Sequence, residues 1–432
     1  MSNDFSTDSF EINEDVRDAI DVLFNSNRNV FITGSAGTGK STLLRYFVKN
    51  IQNSTVVIAP TGVSALNVGG QTIHSFFRFS PDVTLDKIVI DKRLQSVIKK
   101  IDSIVIDEIS MVRSDIFDCI DKSLRLHSLC DEPFGGKRLI LFGDLFQLPP
   151  ILKRDEMEIF LDIYNSQYFF DSKAYRVGNF SILELKKIYR QKNTKFINLL
   201  NRIRTATYID EDLDLINKHV VKYNNTDVDN SSIYITTTNN KAEDINNKNL
   251  EKINGLEYIF NAEARGSIYE REFPANKVLK LKVGAKVMIT VNDSPLKRYV
   301  NGTIGIIKSI DSIMNTIHID INGKTVKLEK YEWKKYTYRF NEKSEKIEAE
   351  EVGSFVQFPI LLAYAITIHK SQGKQFDNII LDTDRGIFAT GQFYVAISRV
   401  KSLKGLKVVK KIQKKDIMTD RKILNFFKVY GN

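Results

Sequence analysis

The chain has almost no cysteine: two in 432 residues, Cys119 and Cys130, eleven positions apart. That spacing suits neither a zinc cluster nor a disulfide framework, and it points to a reducing intracellular compartment, the cytoplasm. No apolar run approaches the roughly 18 residues that a membrane-spanning helix needs, so no membrane partner is expected. The first residues, MSNDFSTDSFEINEDV, are acidic and polar and lack the basic-then-apolar order of a secretory leader. Internal repeats and long low-complexity linkers are also missing.

What is present is ordinary in bulk. Apolar residues make up 42% and charged residues 27%, which excludes a disordered chain. Against 53 acidic residues stand 63 lysines and arginines, a net charge of +10 that suits a polyanionic partner without identifying one. The length exceeds one compact core and implies two or three domains.

Short β-branched runs recur at VFIT (30–33), VVIA (56–59), SIVID (103–107) and LILFGD (139–144), with segments long enough for crossover helices between several of them. Such nearly unbroken apolar strands belong to a parallel sheet covered on both faces, so the fold class is α/β. The pattern returns at IYITTT (233–238) and NIILD (378–382). Between them, from about 284 to 355, lie KVMITV, TIGIIKSI, TIHIDI and TVKLE, with Asn322-Gly323 joining the last two as a tight hairpin. This stretch reads as a small antiparallel barrel inserted into a second α/β domain. The run KSLKGLKVVKKIQKK (401–415) carries seven lysines and no acid, and reads as a solvated face.

GSAGTGKS at 34–41 follows a strand and precedes the helical run TLLRYFVKN, the setting of a phosphate-binding loop. Gly34, Gly37 and Gly39 let backbone N–H groups converge on phosphates, and the helix from Lys40 turns its positive end toward the same anion. Lys40 adds a full charge, and the Ser41 hydroxyl is a ligand for Mg²⁺. Nucleotide contact is therefore expected along Gly34, Ser35, Ala36, Gly37, Thr38, Gly39, Lys40, Ser41 and Thr42. In SIVIDEIS (103–110) a strand ends in Asp107, the second magnesium ligand, and Glu108, which orients or deprotonates the attacking water. LILFGDLFQLPP (139–150) adds Gln147, an amide suited to sensing the terminal phosphate.

These three elements, with PTGVSALNVGGQTIHSFF (60–77) between the first two, resemble superfamily-one helicases. SLRLHSLCDEPFGGKRLILFGDLFQLPP (123–150) is similar to the signature of the petite-integration-frequency (PIF) family, as distinct from its RecD-like relatives. IYRQ (188–191), LLAYAITIHKSQG (361–373) and QFYVAISRV (392–400) agree. The resemblance implies two RecA-like P-loop domains with ATP and Mg²⁺ in the cleft between them. It implies a first domain over 1–190 with a small insertion at about 62–82. The second domain would be 191–283 with 356–432, interrupted by an SH3-like β-barrel at 284–355. It also implies 5′-to-3′ translocation of a monomer on single-stranded DNA, with unwinding of duplex forks and of G-quadruplex DNA. Arg190 and Arg399 are then arginines that bridge the terminal phosphate, joined by Gly373 at the nucleotide. DNA contacts fall on Thr61, Thr72, His74 and Phe77 in the first domain and on Thr367, His369 and Lys370 in the second. Phe76 and Phe77 fit a core as well as a stacking pin, and Lys297, Arg298, Lys334 and Lys335 of the barrel are further candidates. The upstream glutamine that reads adenine in many such helicases has no counterpart in INEDVRDAI (12–20), so adenine selectivity is not carried over.

Two other readings stay open on the residues: a nucleic-acid-stimulated ATP switch that remodels complexes without strand separation, and a translocating subunit of a larger recombination machine.

Overall fold

The computed structural model describes residues 13–51, 54–152, 154–221, 232–268, 270, 273–293, 298–341, 346–383 and 386–430. The β-branched runs of the first 190 positions build one six-stranded parallel sheet. Its order is Gln71–Thr72, Thr55–Ala59, Ser103–Ile106, Arg138–Phe142, Val30–Gly34 and Ser181–Leu185. Alternation along each strand divides two cores. Val30 and Ile32 pack with Val16, Leu23, Leu43 and Phe47 on one face, while Phe31, Ile104 and Ile106 pack with Phe117, Ile120 and Leu124 on the other. The helix Glu14–Asn25 is capped by Asn13, whose side chain accepts from the Val16 N–H at 3.0 Å.

A second parallel sheet, ordered Ala365–Thr367, Ser232–Thr236, Asn378–Asp382 and Leu406–Val408, has the same layered construction. Its Ile233, Ile235, Ile366 and Leu381 belong to the same apolar cluster as Phe31 and Ile106, so a single core runs between the two sheets. Within the second unit's sequence lies a five-stranded antiparallel sheet, ordered Lys324–Glu329, Thr316–Ile321, Ile304–Asp311, Lys286–Ile289 and Ile360–Leu362. Asn322 and Gly323 turn its hairpin with φ of 52° and 84°.

The long hairpin Tyr331–Asn341 with Lys346–Gln357 is not part of that sheet; it pairs instead with Glu263–Gly266. It reaches back to the first unit, beside the helix Lys92–Ile98, where the Tyr338 ring stands 6.2 Å from Phe76 at 76°. The C-terminal helix Arg421–Tyr430 also crosses over. Phe427 stacks on Phe146 at 5.4 Å, Phe426 stacks on Phe170 at 4.5 Å, and Tyr168 donates to Asp420 at 3.0 Å. Among the described residues no helix is long and apolar enough to cross a membrane.

Phe426 is 5% exposed and Val429 69%. Phe426→Ala is therefore expected to cost about 3–5 kcal/mol and Val429→Ala under about 0.5 kcal/mol. Denaturant midpoints of the two variants check this, and equal small shifts would show that the crossing helix holds nothing together.

Candidate nucleotide cleft

The strand Val30–Gly34 leads into a loop that turns sharply into the helix Lys40–Asn50. Gly37 has φ 89°, and a side chain there would begin 2.5 Å from Cβ of Arg190, so only glycine fits. Lys40 folds over the loop and donates to the carbonyls of Gly34 at 2.7 Å and Ser35 at 3.0 Å. Burial pulls its pKa down, against Asp144 and Glu108, which pull it up. Thr38 donates to Ser35 O, Ser35 to Asn201, and the Ala36 N–H to the hydroxyl of Tyr394 at 2.9 Å. Ser41 is exposed and Thr42 half-buried on the first turn of the helix.

Asp107 and Glu108 follow the strand Ser103–Ile106, one strand removed from Val30–Gly34 in the sheet. Glu108 sits in the left-handed region at φ 50°, ψ 43°, and its N–H donates to Asp107 Oδ1 at 2.9 Å. A non-glycine residue there stores about 1–2 kcal/mol of strain, which marks a site where geometry is imposed. Burial pushes Asp107 up to about 6; burial and then Asp107 push Glu108 up to about 7. Gln147, 8% exposed, donates to Asp144 Oδ2 at 3.1 Å.

The second unit closes the cleft. Arg399 is 1% exposed, and its guanidinium donates to Val395 O, Ser371 O, Lys374 O and Ser398 Oγ. No carboxylate is hydrogen-bonded to it among the described residues. Burial and then Arg190 hold it down at about 9. Arg190 lies against the phosphate loop and donates to Ser398 O at 3.4 Å, and Gln191 donates to Ser398 O and Val400 O. Gly391 approaches the Gln147 carbonyl so closely that an added Cβ would stand 2.2 Å from it. Gly373, next to these groups in sequence, is exposed with φ 75°.

Three cleft residues escaped the sequence reading. Gln372 reaches from the second unit to Glu108 Oε2 at 3.3 Å and to Gln147 Oε1 at 3.4 Å. Arg204, 7% exposed, pairs with Asp144 at 3.3 Å and Glu184 at 3.4 Å, its guanidinium 4.3 Å from the Phe146 ring. Tyr394 is the third. Gln372 and Tyr394 lie inside the motifs LLAYAITIHKSQG and QFYVAISRV without standing out there, whereas Arg204 reads as an ordinary helix-terminal arginine.

The expected DNA residues fall into two matching turns. Thr72 caps the helix Ile73–Phe77, accepting from Ser75 N–H, and Thr367 caps Ile368–Ser371, accepting from Lys370 N–H. Each threonine ends or follows a strand of its own parallel sheet, and each is followed two positions later by a half-buried histidine, His74 or His369. Burial lowers the His369 pKa. Lys370 is exposed, and Thr61 bonds Ser64 at 2.8 Å. Phe77 is different: it is 3% exposed, edge-on to Phe76 and stacked on Phe79 at 5.2 Å, a core residue in this structure. Of the basic candidates on the insert, Arg298 pairs with Asp293 and Lys334 with Glu351 and Glu332. Lys335 is half-buried. Lys297 lies outside the described residues.

Asp144→Ala would leave the buried Arg204 with only the partly exposed Glu184, a loss of about 3–5 kcal/mol. Adding Arg204→Met should return most of it, and a double-mutant cycle in denaturant measures the coupling.

A family model described as PIF1-like helicase matches residues 10–214. The chain is 31% identical to the ATP-dependent DNA helicase Pif1 of Bdellovibrio bacteriovorus, over 97% of this chain and 92% of that one. The crystal structure of Bacteroides sp. Pif1 in complex with ADP-AlF4 is 38% identical and superposes with a TM-score of 0.89, covering 98% of this chain and 97% of that one. Bacteroides Pif1 in complex with ADP-AlF3 and ssDNA is also 38% identical, covers 98% of both chains, and superposes at 0.71. A likeness of this strength over nearly the whole length makes the chain a member of the PIF1-like helicase family.

Proposed function

We propose that this chain is an ATP-driven DNA helicase that moves 5′-to-3′ along single-stranded DNA and separates duplexes ahead of it. One observation carries the reading: a phosphate loop, an acidic pair and two arginines meet in a cleft whose walls come from two parallel sheets. The names of its relatives, ATP-dependent DNA helicases, and the nucleotide and ssDNA complexes of the Bacteroides protein support it. In this reading the units are 1–190, with a DNA-side insertion at about 62–82, and 191–283 with 356–432, around an SH3-like insert at 284–355.

ATP is held by Gly34–Thr42, with Lys40 on the phosphates and Gly373 at the second wall. Ser41 and Asp107 fit Mg²⁺: one hydroxyl and one carboxylate make the oxygen donor set of an ion shared with phosphates and water, not an all-protein cage. When bound, that ion offsets charge on the transferring phosphoryl group. Glu108, its proton affinity raised by burial, accepts a proton from or orients the attacking water, while Gln147 contacts the terminal phosphate. Arg190 and Arg399 neutralise charge there, and Arg399, which the second unit supplies, does so only while both units face the nucleotide. Thr61, Thr72 and His74 grip the DNA backbone from one unit and Thr367, His369 and Lys370 from the other. Phe77 supports the first grip from within the core. Substrates in this reading include forks and folded G-rich DNA, the active species is a monomer, and the two free thiols suit a reducing compartment.

Lys40→Ala should lose nucleotide binding and turnover together. Glu108→Gln should still bind ATP and DNA while hydrolysing about 10²–10⁴-fold more slowly, as loss of a positioned base does. Wild-type turnover in the glutamine variant would end its assignment. The function itself is tested by strand displacement on duplexes with a single 5′ or 3′ tail: unwinding of the 5′-tailed substrate alone is expected. DNA-stimulated phosphate release without displacement on either would favour an ATP switch instead.

A further inference from the structure

Tyr394 belongs to the short helix Gln392–Ile397 of the second unit and is 3% exposed. Its hydroxyl nevertheless accepts a hydrogen bond from the first unit, the 2.9 Å contact with the backbone N–H of Ala36 in the middle of the phosphate loop. The same loop is held on its other side by its own unit. There the Tyr189 N–H donates to Gly37 O at 2.9 Å, and the Arg190 stem fills the space beside Gly37. Asp144, Arg204, Arg190 and Arg399 surround the phenol, and burial followed by Asp144 pushes it up to about 12, so it stays neutral and serves as a hydroxyl. Hydrolysis has no use for a neutral phenol at this point, since the water, the terminal phosphate and the metal already have their own residues. What the contact does is tie the backbone of one unit to the side chain of the other.

A buried amide without an acceptor is costly, so the conformation of the loop at Ala36 depends on where the second unit stands. With the units together, the Tyr394 oxygen satisfies the amide and the loop is pinned from both sides. With the units apart, the amide has no acceptor there and the loop relaxes toward water. We propose that Tyr394 is a positioning residue that makes the affinity of the phosphate loop for nucleoside diphosphate depend on closure of the cleft. This rests on the reading of Gly34–Thr42 as the nucleotide site. It adds a lever for product release that is separate from the arginines, because the group held by Tyr394 is the loop that grips the phosphates remaining after hydrolysis. Linkage makes the effect reciprocal: any ligand that shifts the units must shift diphosphate affinity through this contact.

Tyr394→Phe removes one oxygen and leaves the ring in place. The measurement is binding of fluorescent ADP to the full chain, alone and with saturating oligothymidine, for wild type and variant. In wild type the DNA is expected to change the ADP dissociation constant several-fold. In the variant, ADP binding without DNA should weaken about five-fold, the effect of losing one neutral hydrogen bond, and the DNA-dependent factor should fall close to one. Unchanged constants and an unchanged factor overturn the proposal. So does weaker binding with the factor intact, which is the signature of a static packing role, and so does a wild type whose ADP affinity ignores DNA. Oligothymidine binding without nucleotide controls for folding. Failure of wild type to bind ADP at all would instead remove the nucleotide-site reading, so the two failures are distinct.

Discussion

A buried arginine with no carboxylate hydrogen-bonded to it among the described residues is the constraint around which the cleft is organised. Arg399 is satisfied only by carbonyls and a hydroxyl, with a second guanidinium, Arg190, close enough to depress its pKa. Neutral acceptors meet its hydrogen-bonding needs but leave its charge. Across from it, Lys40 adds a third cation, while Asp107, Glu108 and Asp144 prevent the pocket from becoming uniformly positive.

The two walls are joined by contacts of different strength. The apolar core that continues between the sheets and the C-terminal helix stacked on Phe146 and Phe170 are extensive and dry. Around the phosphate loop the joints are polar: Gln372 to Glu108 and Gln147, Arg190 to Ser398, Ser35 to Asn201, Tyr394 to Ala36. Polar joints exchange readily for water, so a seam of this kind parts at modest cost while the apolar seam holds.

The α/β class and the phosphate loop were legible because their physics is local. A parallel strand must be apolar on both faces, and a loop that wraps phosphate needs glycines at fixed offsets; both leave marks within ten residues. Arg204 left no such mark, and Tyr394 and Gln372, though inside motifs, gave no sign of their partners, since each acts on residues distant in sequence. Asp144 closes the run LILFGD, yet nothing local says that it is the partner of an arginine sixty positions on. The β-rich insert was visible as strands but not as sheets. The runs before Glu329 form one antiparallel sheet, whereas Tyr331–Gln357 departs to pair with Glu263–Gly266, a partner outside the expected barrel. Phe77 shows the limit of residue type: adjacent aromatics suit a core and a base stack equally, and only burial decides.

Gly391 carries a mechanical consequence. Its bare α-carbon rests on the backbone of the turn that holds Gln147, with no room for even a methyl group between them. Main chain against main chain is the hardest contact a protein has, since no rotamer can yield. The approach of the two walls is therefore limited by a fixed stop and not by soft side chains. The spacing of the two walls at this point is then set by the skeleton of the fold.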